Sequence, residues 1–200
     1  MYLTASLLLS FFSIDLSYWL IKTSFKSLAK EGQPSYYKHR FTKRIVEEIN
    51  EFRTNCLKYV KKIYQFGLNF PEEDSRVSEC CNFLSKKQDE IEQNNILLEK
   101  LIFIDQLKLP FSKNDKLLVD PKYLKDSYSN FKEKFSGNYE LLKFMYFKSS
   151  EDPEIAILSQ IFEKFLKFGN SIFTPSLQYI GVNNMRLKSG EILIYIILAK

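Results

Sequence analysis

Ile192-Leu193-Ile194-Tyr195-Ile196-Ile197-Leu198 is the stretch on which the fold turns: seven apolar residues in a row, followed by Ala199 and Lys200. A run of this length fits a strand buried on both faces or a segment of buried helix, and periodicity does not separate the two. A core-type run abutting Lys200 predicts a segment that packs centrally or a chain that continues further. The stretch before it holds Pro175, Gly181 and Asn183-Asn184 and reads as a loop. Almost everything upstream reads as helix. The expected fold is therefore all-α, a helical bundle in which the last apolar segment is left open between helix and strand.

Three start signals organise residues 111–200, expected as a C-terminal helical bundle and possibly an incomplete domain. Asp152-Pro153 is a cap followed by a first-turn proline. The apolar set Ile155, Ile157, Leu158, Ile161, Phe162, Phe165, Leu166 and Phe168 then covers so much of the circumference that this helix belongs at the centre, with Gly169 closing it. Asp120-Pro121 opens a shorter helix with Leu124, Tyr128, Phe131 and Phe135 on one face, and Asn138 caps another through Leu141, Leu142 and Met145.

Residues 33–110 read as a long antiparallel helix hairpin. After Pro34, Thr42, Ile45, Ile49, Phe52, Cys56, Tyr59, Ile63 and Phe66 alternate three and four apart, the spacing of a coiled-coil seam. Gly67 ends that helix, Pro71 lies in the connection, and Asp74 or Ser75 caps the return helix. Its seam is Val77, Cys81, Leu84, Gln88, Ile91, Asn95, Leu98 and Ile102. Gln88 and Asn95 either fix register against a partner or lie where the seam is only partly covered.

Residues 1–32 read as an N-terminal amphipathic or membrane-associated helix. Residues 1–21 carry one formal side-chain charge, Asp15, and a helix of that length just crosses a hydrocarbon core of roughly 30 Å. Against a simple span, Ser6, Ser10, Ser13, Ser17, Ser24 and Ser27 make a stripe that continues past Lys22 and Lys26. That suits a helix packed on its own protein, although small residues also pair helices in lipid.

With 45% apolar and 26% charged residues, the chain has the means to bury a core. Cys56, Cys80 and Cys81 are odd in number and two are adjacent, which fits a reducing, cytoplasmic setting, with an endomembrane surface as the further possibility. One histidine, His39, excludes the common two-histidine zinc sites, and six scattered glycines build no phosphate-cradling loop. No metal, cofactor, small-molecule substrate or catalytic residue is expected, and a binding protein is the reading preferred over an enzyme. The net charge of +5 is spread along the chain, so nucleic acid is the least expected partner. Lys38, Arg40, Lys43 and Arg44 form the densest basic stretch and are the candidates for contact with an anionic surface such as acidic lipid. Glu47, Glu48 and Glu51, one turn on, offer internal partners instead.

Phe103-Ile104 followed by Leu107, Leu109 and Pro110, then Pro153 opening an apolar helix, then Leu193-Ile194-Tyr195 before Leu198-Ala199-Lys200, occur in this order. The set resembles the vacuolar-protein-sorting-nine domain, the helical exchange-factor domain for endosomal Rab GTPases, over about the second half of the chain. The resemblance implies a Rab-family GTPase as protein partner, met by the segment before the Leu-Ile-Tyr run. Its candidate contacts are Arg186, Lys188 and Glu191. Where the family places an acidic pair and a proline, this chain has Glu191 as its one acid, so weak or absent nucleotide exchange is expected. The expectation from another class is a membrane-anchored coiled-coil scaffold or a subunit of a larger assembly.

Overall fold

The computed structural model describes residues 34–107, 109, 121–135, 137–149, 152–187 and 189–200. The helix expected over residues 1–32, including its possible membrane span, lies outside them. Chain order within them is α1 (Pro34–Thr54), α2 (Cys56–Gly67), α3 (Asp74–Gln93), β1 (Ile102–Phe103), α4 (Pro121–Phe135), β2 (Leu141–Ser149), α5 (Pro153–Ile172), β3 (Tyr179–Arg186) and β4 (Ile192–Ala199), with short 3-10 turns at Pro71–Glu73 and Asp105–Leu107. None of these helices is long and apolar enough to cross a membrane.

The apolar run is strand β4, and the fold is α+β rather than all-α. The sheet order is β1-β3-β4-β2, with β4 antiparallel to both neighbours and β1 parallel to β3. The physical reason lies in β4 itself. Every residue from Ile192 to Ala199 is buried, and a central strand meets that demand with a strand on each side and a layer on each face. Four isoleucines in the run, stiff at χ1, also suit a pleated surface. The helix expected through Leu141, Leu142 and Met145 is likewise strand, β2, and the expected loop at Gly181 and Asn183-Asn184 is the interior of β3.

Side chains alternate across the sheet, so β4 has two different faces to satisfy. Leu193, Tyr195, Ile197 and Ala199 join Leu124 and Phe131 of α4, together with Leu107 and Leu109, in one apolar cluster. Gly181 lies on this face. A Cβ there would stand 1.8 Å from the Leu107 carbonyl oxygen, so only glycine admits the segment at this distance. Asn183, on the same face, donates to the Leu109 carbonyl at 2.9 Å. The opposite face meets α1 and α5: Asn184 donates to Thr42 Oγ1 at 2.7 Å, and Lys143 of β2 donates to the Asn170 carbonyl at 3.4 Å.

The seam of the first long helical pattern is buried from Thr42 to Ile63, but two helices share it. Asn55 interrupts them, leaving the helical region and accepting a hydrogen bond from the Lys58 N–H to cap α2. α2 and α3 pack on each other, with Val77, Cys80 and Leu84 as the buried residues of α3. Cys80 thus takes the core position expected of Cys81. Gly67 is the last residue of α2, and a Cβ on it would meet a Val77 methyl at 2.3 Å. Asp152 caps α5, accepting from the N–H groups of Glu154 and Ile155, and α5 runs three residues past Gly169.

Candidate functional site

Several polar clusters are structural. Arg53 is 1% exposed and faces no carboxylate among its hydrogen-bond acceptors. Its guanidinium donates to the carbonyls of Glu99 at 2.8 Å, Thr174 at 3.0 Å and Leu177 at 3.3 Å, and also to that of Ile172. The Ile172 carbonyl belongs to the last turn of α5, where the helix dipole favours a cation. Burial draws the pKa of Arg53 down to about 10, which still leaves it charged at neutral pH. Asn50 copies a strand edge, donating to the Leu101 carbonyl at 3.1 Å and accepting from the Leu101 N–H at 2.7 Å.

Lys62 ties three helices together, meeting Glu48 at 3.2 Å, Glu51 at 3.1 Å and Glu154 at 2.8 Å. Burial alone would lower its pKa, but hydrogen bonds to the three carboxylates raise it on balance. Tyr59, buried and bonded to Glu48 at 2.6 Å, has its pKa raised by burial first and the carboxylate second. The thiols of Cys56 and Cys80 are pushed up by burial to about 11 and about 12, which keeps them protonated and unreactive near neutral pH. Among the described residues, no group of three or more His, Cys, Asp and Glu side chains is placed to hold a metal ion.

The residues singled out from sequence fall in two places. Arg186 and Glu191 flank the β3–β4 turn, where Gly190 takes a φ of 91° and the Leu187 N–H bonds the Glu191 carbonyl at 2.8 Å. The Glu191 carboxylate accepts from Ser189 Oγ at 3.0 Å and faces Lys148 of β2 at 3.8 Å. Lys188 lies outside the described residues. In the basic stretch, Lys43 pairs with Glu47 at 3.9 Å, and Arg44 pairs with Glu47 at 3.3 Å and Glu48 at 3.8 Å. Arg40 is exposed, and the side chain of Lys38 lies outside the described residues.

The site that sequence reasoning missed is the outer edge of β2. Glu140 and Lys200 exchange both backbone hydrogen bonds at 3.0 Å, whereas Ala199 accepts from Gln178 at 3.1 Å on the other side. Backbone groups of a strand point alternately left and right, so Ile192, Ile194, Ile196 and Leu198 bond β2, and the residues between them bond β3. In the observed register those four face Ser149, Phe147, Met145 and Lys143. Phe144, Tyr146 and Lys148 therefore aim their N–H and C=O groups away from the sheet. No described strand pairs with them.

A groove of about 470 Å³ runs along this edge, lined by Phe144 to Lys148 on one side and by Gln160, Glu163, Lys164, Lys167 and Phe168 of α5 on the other. Five consecutive strand residues line it, which shows that it wraps the strand's rim rather than one face. α5 is kinked there, with Lys164 at φ −137° and ψ 34°. Phe144 is held from behind by Tyr128 and Tyr195, at ring-centroid distances of 5.1 and 5.7 Å. The signal that could have found this edge is the alternation of Phe144, Tyr146 and Lys148 against Lys143, Met145 and Phe147.

Comparison with known proteins adds no relative: no family model matches the chain, and no curated protein or solved structure is significantly similar to it.

Proposed function

We propose that this protein is a protein-interaction module that binds its partner by strand addition at the outer edge of β2. The observation carrying the reading is the row of outward backbone groups at Phe144, Tyr146 and Lys148, beside a groove and paired with no strand among the described residues. A long exposed edge is a template for pairing with another chain, and recognition modules use main-chain hydrogen bonds there for affinity and side-chain pockets for choice. Amide exchange tests it directly. In the free protein the Phe144, Tyr146 and Lys148 amides exchange much faster than those of Met145 and Phe147, and a bound partner protects the fast set. Equal protection of both sets without a partner would contradict the reading.

A Rab-family GTPase is the second proposal for that partner, favoured by the exposure of Arg186 and the position of Glu191 at the β3–β4 turn. Its fold basis is weaker, because Tyr195 of the Leu-Ile-Tyr run is 1% exposed in a central strand. A pull-down against nucleotide-free Rab GTPases, with Glu191→Lys as control, tests it. Binding lost in that variant supports the proposal, and no binding to any member removes it. Exchange is expected to be weak or absent, and a fluorescent-nucleotide release assay reads it.

A further inference from the structure

We propose that the groove selects an acidic, extended peptide segment of its partner protein, one that alternates apolar and acidic residues. This rests on the strand-addition reading above and adds the chemistry of the occupant.

Three observations carry it. First, the groove is basic: Lys148, Lys164 and Lys167 line it against a single acid, Glu163. Lys148 is spoken for by Glu191, but Lys164 and Lys167 make no ion pair among the described residues. Two cations one helical turn apart, on the wall facing a strand edge, favour an anionic side chain between them. Second, Gln160 lines the same groove, is only 8% exposed, and makes no side-chain hydrogen bond among the described residues. No buried side-chain polar atom among the described residues lacks a partner, so the Gln160 amide reaches solvent through the groove, where it is open to hydrogen-bond an arriving peptide group and so to add specificity. Third, the two sides of the rim differ. An added strand places alternate side chains against Phe144 and Tyr146 on one face of the sheet, and against Met145, Phe147 and the lysines of α5 on the other. Apolar residues suit the first set of positions and carboxylates the second.

The same charges argue against a second copy of this chain as the occupant. Pairing β2 with itself would bring a second set of the same lysines to the rim, and like charges across an interface oppose association. Glu163 within the groove and the open row of amides also favour a peptide over a phosphate backbone.

The test is fluorescence anisotropy on the intact protein with labelled peptides the length of β2. One alternates valine and glutamate, a second has glutamine for every glutamate, and a third is the first with every second amide N-methylated. The acidic peptide should bind about tenfold more tightly than its glutamine form and weaken as salt is added. Lys167→Glu should remove that difference, and Gln160→Leu should weaken both unmethylated peptides. Because Lys167 is exposed and Gln160 is buried, the first variant keeps the test sound if the second fails to fold. Equal binding of the glutamate and glutamine peptides would overturn the acidic selectivity and leave strand addition standing. Equal binding of the N-methylated peptide, or no binding of any peptide, would overturn strand addition and this inference with it. A single-stranded oligonucleotide that binds more tightly than the acidic peptide, and is weakened by Lys167→Glu, would overturn the assignment of a protein partner.

Discussion

Arg53 places a full charge in the interior with carbonyl oxygens alone to receive it, and those oxygens come from the loop before β1, the last turn of α5 and the turn leading to β3. Removing the guanidinium leaves these carbonyls buried without a donor, so Arg53→Met should cost roughly 3–5 kcal/mol, the usual loss when a buried charge network is broken. Urea unfolding midpoints of the variant and of an exposed control, Lys61→Met, would measure it, and a midpoint equal to the control's would contradict the role. Nothing in the local sequence marks Arg53 as interior, since it sits among Glu51, Thr54 and Asn55 in a helix with a polar face. The same holds in reverse for Gly181, Asn183 and Asn184. Glycine and asparagine are the residues of turns, so β3 reads as a loop. Each is instead there for a distant contact: Gly181 for the Leu107 carbonyl, Asn183 for the Leu109 carbonyl, Asn184 for Thr42.

Among the elements, helices were legible wherever an apolar stripe coincided with a cap, as in Asp152-Pro153 before α5 and in the Thr42 to Ile63 seam. β2 was misread because Leu141, Leu142 and Met145 satisfy helical spacing, while its aromatic content and its pairing with β4 are properties of the assembled sheet. The joint between α1 and α2 has a measurable electrostatic signature. The hydrogen bond from Lys58, with Lys62 assisting, holds the Glu51 carboxyl below its ordinary value. A carboxylate with a depressed folded-state pKa contributes stability that is present above its unfolded value and lost as pH falls through the folded one. Glu51→Gln should thus be less stable than the natural protein at pH 7, by under about 1 kcal/mol because both lysines keep solvent contact. The gap should close as pH falls below about 4. Denaturant midpoints at the two pH values check it, and a gap that widens in acid would reverse the assignment.

For the whole molecule, the outcome hinged on one ambiguous run. A continuous apolar stretch says that a segment is surrounded, and only its neighbours decide whether strands or helices surround it. With β4 read as helix, β2 and β3 lose their reason to be strands, and the groove beside β2 disappears from view. Because β4 bonds both β2 and β3, a chain ending at residue 190 should keep the helical packing of α2 and α3 and lose the sheet. Circular dichroism would then lose its β component while retaining helix, and amide protection persisting at Met145 and Phe147 would contradict this dependence.

The sheet's order carries a consequence for synthesis. β1 waits for β3, and β2 waits for β4, so β2 finds no partner until the last strand has left the ribosome. A nascent chain at that stage can close the α2–α3 pair from local contacts, yet it carries β2 with both edges bare and its aromatic side chains uncovered. The interval between the emergence of Leu141 and that of Ala199 is the period in which this protein most needs a chaperone.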